Sequence, residues 1–100
     1  MDRPYTVALV DAQGLPSAAR IAAETRYAAS LERSLGGADQ VVEALRAWRV
    51  ASEAEATDVD RATFQRAMCW PRAANLAKQA AFRDLGEFPG AHIEVTLPRA

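Results

Sequence analysis

The sequence predicts an α+β protein, predominantly helical, in the order β-α-α-α-α-β, with the two terminal strands paired in a small sheet covered by helices. Three observations carry that expectation. Tyr5–Val10 is a short aromatic and β-branched run near one end, and Ala91–Leu97 near the other alternates apolar and polar residues with the period of two that a half-buried strand requires. Between them, strong helix formers carry apolar residues at three- and four-residue spacing. That helical middle is cut by Gly36-Gly37, by the acidic bend around Glu55 and by Trp70-Pro71, all of which end helices for identifiable reasons.

The first strand closes at the turn residues Asp11, Gln13 and Gly14, and its spacing places Tyr5, Val7 and Leu9 on one face. Ser17 to Leu35 reads as the first and longest helix, with Ile21, Tyr27, Ala28, Leu31 and Leu35 on the inward side. Arg20 and Glu24 are an i,i+4 pair worth only a few tenths of a kcal/mol. Gly36-Gly37 stops this helix, because glycine takes the left-handed cap conformation without a Cβ penalty. Asp39 caps a second helix that runs to about Ala54, its inward face being Val41, Val42, Leu45, Trp48 and Ser52. So short a link makes these two helices antiparallel neighbours or a sharp corner.

Thr57 with Asp60 reads as a capping box that starts a third helix near Asp58. The helix should stop near Trp70, since the residue before proline is pushed out of helical geometry, while Pro71 itself suits the first turn of a fourth helix reaching Leu85. On that fourth helix Arg72, Asn75, Gln79 and Arg83 share one stripe. Arg66 and Trp70 stand beside it, and these six residues are the candidate partner contacts. Glu87-Phe88-Pro89-Gly90 forms a turn, and in the last strand Ile93, Val95 and Leu97 point in while His92, Glu94 and Thr96 point out, with Pro98 as the stop.

One hundred residues suit a single compact domain spanning 1–100. Of the 50 apolar residues, 23 are alanine, so the core must come from close helix packing around few large side chains. Truncating Trp48 or Phe64 to alanine would cost about 3–5 kcal/mol if those sites are fully buried. The net charge is −1, but residues 1–60 carry six basic and ten acidic groups while 61–100 carry six basic and three acidic. That imbalance favours docking of the second half on a polyanion or an acidic partner and is too weak for tight nonspecific nucleic-acid binding.

A single cysteine, Cys69, and a single histidine, His92, rule out an internal disulfide and any Cys/His zinc set. No metal and no cofactor is expected. Glu53, Glu55, Asp58 and Asp60 make an acidic bend that is not read as a calcium site, because Asp58 and Asp60 lie where acids stabilise a helix start and no glycine-bearing loop follows them. There is no G-x-S-x-G elbow, no phosphate-cradling glycine loop and no H-E-x-x-H, so an enzyme is not expected. Cys69 with His92 is the one nucleophile–base pair the sequence offers. Cys69, however, falls at the expected end of the third helix, where the dipole opposes thiolate formation, and a small core cysteine is the simpler role.

No stretch approaches the 18 apolar residues of a membrane span, and nothing suggests an oxidising compartment, so a cytoplasmic protein off the membrane is expected. Arginine outnumbers lysine eleven to one, which with the alanine excess suggests a GC-rich bacterial or mobile-element genome. The expected function is a small non-catalytic module that binds a partner protein as inhibitor, adaptor or regulatory subunit. The alternative is a DNA-binding regulator whose residues 58–85 form a helix-turn-helix variant, since Arg, Asn and Gln match guanine and adenine edges in a major groove. A homodimer through an edge strand would extend a two-stranded sheet that is marginal alone.

Overall fold

The computed structural model describes residues 3–53, 59–83, 85 and 90–98. It contains β1 (Thr6–Val10), α1 (Ser17–Leu35), α2 (Ala38–Glu53), α3 (Arg61–Ala67), α4 (Cys69–Phe82) and β2 (His92–Thr96), an α+β fold that is mostly helical. β1 and β2 pair antiparallel with Val7 opposite Val95 and Leu9 opposite Ile93. Tyr5 and Leu9 are buried and Ile93, Val95 and Leu97 half-buried, while His92, Glu94 and Thr96 face solvent, as the alternation requires.

The core gathers Tyr5, Leu9, Tyr27, Leu31, Val41, Leu45 and Trp70 around alanines of α1, α2 and α4. α1 packs most extensively on α4. The buried stripe of α4 is Trp70, Ala73, Ala77 and Ala81, so small residues let the two helix backbones approach and Trp70 supplies the bulk. Arg26 of α1 donates to the carbonyl oxygens of Ala80 (3.2 Å) and Ala81 (3.0 Å), covering orphan acceptors at the end of α4 with a cation brought from another helix.

Gly36 ends α1 in the left-handed region, φ 99°, with its N–H on the carbonyl of Glu32. α2 begins at Ala38, so Asp39 lies inside the first turn and is not the cap. The Thr57 half of the capping box lies outside the described residues. Asp60 is itself the cap of α3, accepting from the Thr63 N–H at 2.7 Å, and α3 starts at Arg61 accordingly. That bond, first, and the Thr63 hydroxyl, second, hold the Asp60 carboxyl below its ordinary value.

The corner falls at Met68, two residues before the expected one. Pro71 is the third residue of α4, where its missing N–H would have had no helical partner. Burial of Trp70 outweighs the local preference against helix before proline. Two residues expected inside are outside: Ile21 is 60 % exposed, and Ser52 is exposed with its hydroxyl turned back on the Trp48 carbonyl; Phe64, at 50 % exposure, does not meet the condition of full burial. Trp48 is half-buried against the core. α4 ends at Phe82, short of Leu85.

Both outer edges of the sheet are touched by charged side chains. The Leu9 N–H, directed away from β2, donates to Glu24 Oε2 at 2.8 Å, so Glu24 turns to the strand and not to Arg20. On the other side Arg49 donates to the Val95 carbonyl at 3.0 Å and Arg46 to that of Pro98 at 3.3 Å. No helix among the described residues is long and apolar enough to cross a membrane.

Candidate functional site

α3 and α4 are separated by Met68 alone, and together they present a continuous outer surface. Because Trp70, Ala73, Ala77 and Ala81 hold the inner side of α4, residues two and five positions after Trp70 must face out. Arg72, Asn75, Gln79 and Arg83 are all exposed there. The structure therefore brings this quartet together on one solvent face. Residues 61–83 contain five basic side chains, Arg61, Arg66, Arg72, Lys78 and Arg83, and no acidic one, and all five are exposed.

Arg66 is exposed but tethered. Its guanidinium donates to Gln40 Oε1 and lies 3.5 Å from Glu43 Oε2, so it ties α3 to α2 at the surface. Arg72 makes no ion pair among the described residues. Trp70, read from the sequence as standing beside this face, is 8 % exposed and belongs to the core, where it shares the buried stripe of α4 with Ala73, Ala77 and Ala81.

Sequence reasoning missed the apolar half of this surface. Met68 is 53 % exposed, Leu76 is 43 % exposed, and Phe64 stands one turn before Met68. Met68 and Leu76 line a groove of about 550 Å³ together with Leu35 at the end of α1 and with Arg66, Cys69 and Arg72. Large side chains left half in water beside a concave surface are more informative than scattered exposed ones. A signal existed: Leu76 is i+4 from Arg72 and i+7 before Arg83, which puts it beside the polar stripe and away from the alanine one.

Cys69 is exposed, contrary to the core role expected of it, and opens α4 where the sequence placed it at a helix end. Its sulfur contacts the Gln65 carbonyl at 3.5 Å. His92 lines a different groove, of about 240 Å³, with Tyr27, Ala74, Asn75 and Lys78. Its ring sits 3.1 Å from Glu94, 3.3 Å from the Gly90 carbonyl and 3.7 Å from Asp11. Glu94, then the Gly90 carbonyl, push its pKa up against a small opposing effect of desolvation. The structure thus places the sole thiol and the sole imidazole in separate grooves.

A third cluster joins the N-terminal strand to α1. Tyr5 donates its hydroxyl to Glu32, and Arg3 Nε lies 2.6 Å from the same carboxylate oxygen. Burial, then the bond to Glu32, raise the Tyr5 pKa. Burial pushes Glu32 up, but the bonds from Tyr5 and Arg3 outweigh it and hold its carboxyl below the ordinary value. Among the described residues no three His, Cys, Asp or Glu side chains converge on a point that could hold a metal ion, and Glu55 and Asp58 of the acidic bend lie outside them.

No protein-family model, no curated protein and no solved structure matches this chain.

Proposed function

We propose that this chain is a small non-catalytic protein-binding module, an inhibitor, adaptor or regulatory subunit that docks its α3–α4 face on a partner protein. The observation that supports it is the pairing of half-exposed Met68 and Leu76 with Arg66 and Arg72 around one groove. Methionine, aromatic residues and arginine are enriched where proteins bind proteins, because they combine large apolar area with adaptable or bidentate polar contact. The composition favours a bacterial or mobile-element source and a cytoplasmic setting, since the one cysteine is a free thiol.

Docking through a strand edge, including the edge-strand homodimer, is the weaker route. Glu24 already occupies a donor on the outer edge of β1 and Arg49 an acceptor on that of β2, and a strand added at either edge would have to displace the guard there. A DNA-binding role draws on the exposed quartet Arg72, Asn75, Gln79 and Arg83. Against it, a one-residue junction replaces the three- to four-residue turn of a helix-turn-helix.

Affinity capture with the wild-type chain and with a Met68→Asp/Leu76→Asp variant tests the proposal. Proteins retained by the first and lost by the second are the expected result; identical capture by both would remove this face from consideration. A duplex-DNA mobility shift at about 50 mM salt that disappears in Arg72→Ala/Arg83→Ala would instead favour the regulator.

A further inference from the structure

Resting on the docking role just proposed, we infer that the occupant of the α3–α4 groove is an amphipathic helix of the partner whose flanks are acidic. The groove is lined by the last residues of α1, the end of α3 and the first turns of α4. It offers no strand edge. A segment entering it must satisfy its own N–H and C=O groups, which a helix does and an extended peptide does not. Along α4 the lining runs from Cys69 to Leu76, seven residue steps of one helix or about 10 Å, which matches roughly two turns of a partner helix.

Its chemistry sets the sign of the partner. Leu35, Met68 and Leu76 give an apolar floor and border for residues at i, i+3, i+4 and i+7, while Arg66 and Arg72 stand on the walls. Residues 61–83 contain no carboxylate of their own, and Glu43 of α2 offsets Arg66 alone. Arg72 has no ion-pair partner of its own among the described residues. A helix with glutamates flanking its apolar stripe would meet a guanidinium on the groove wall, whereas one with lysines would place like charges together. Met68, unbranched and polarizable, adapts to whichever apolar side chains the partner brings.

The test uses fluorescence anisotropy with two labelled peptides of about 18 residues, long enough to hold some helix, each with leucines at i, i+3, i+4 and i+7. One carries glutamates on the flanks, the other lysines at the same positions. The expected result is binding of the glutamate peptide alone, weakened about tenfold or more by Arg72→Glu and by raising salt from about 50 to about 500 mM. Arg72→Glu should also gain affinity for the lysine peptide, a reversal that a merely structural arginine would not produce. Nuclear magnetic resonance shifts should localise at Leu35, Met68, Cys69 and Leu76.

Equal binding of both peptides, no effect of Arg72→Glu, or shifts confined to another face would overturn the inference. If neither peptide binds while Met68→Asp/Leu76→Asp still abolishes partner capture, the acidic-helix assignment fails and the docking role stands. Duplex DNA shifting Arg72, Asn75, Gln79 and Arg83 in place of the groove would overturn it in favour of nucleic acid.

Discussion

Glu32 receives hydrogen bonds from Tyr5 and from Arg3, and so couples the start of the chain to the last turns of α1. Its folded pKa is depressed, so the stability it contributes is present above the ordinary carboxylate value and lost as pH falls through the folded value. Glu32→Gln should therefore be less stable than wild type near pH 7, and the gap should narrow toward about pH 3 in thermal melts; a gap independent of pH would contradict the coupling. His92 behaves oppositely. With its pKa raised by Glu94, whatever it contributes is present below 6.5 and lost as pH rises past the folded value. A proton resonance titration of the ring should give a midpoint above 6.5 that falls in Glu94→Gln. The neighbourhood of His92 and Glu94 was legible, since strand alternation points both outward two residues apart, whereas Arg3, Tyr5 and Glu32, like Asp11 and His92, meet only across chain reversals.

At the scale of elements, α4 determines most of the packing, and its fit depends on two side chains of opposite kinds. Trp70 fills the space that alanines leave, so Trp70→Ala should lose about 3–5 kcal/mol in denaturant unfolding. Phe64, half exposed, should cost under about 1 kcal/mol on the same change. Arg26 holds the α4 end from α1, and Arg26→Ala should cost about 1.5–3 kcal/mol, the range for hydrogen bonds to a charged group, with hydrogen exchange rising first near Ala80 and Ala81. Uniform exchange along α4 in that variant would show the capping contact to be idle. Of the boundaries, the stop of α1 at Gly36 was readable because its bond is local. Asp60, read as one arm of a capping box inside the helix, is itself the cap of α3, and Trp70-Pro71 misled because the local preference before proline competes with burial of an indole.

For the molecule as a whole, the two-stranded sheet survives because helices cover one face and charged side chains meet both edges. Glu24 supplies an acceptor where β1 shows a donor, and Arg49 supplies a donor where β2 shows an acceptor. Light scattering should accordingly find wild type monomeric over the range in which Glu24→Ala/Arg49→Ala begins to self-associate; equal association of the two would mean the edges are closed by other means. The outward quartet on α4 followed from helical spacing alone. The groove beside it did not, since its walls come from Leu35 and from Arg66 to Leu76, on three helices whose mutual placement no local pattern specifies.

The sequence by itself determined the α+β class, the order of elements, the inward faces of the strands and the exposure of Arg72, Asn75, Gln79 and Arg83, because these depend on periodicity and on capping within a few residues. Only the tertiary structure decided that Trp70 is core, that Phe64 and Met68 face water, and that Cys69 and His92 line separate grooves. An alanine-rich core gives the physical reason: with so few large side chains, which ones are buried depends on how α1 and α4 settle against each other, and that rotation is fixed by contacts far apart in the chain.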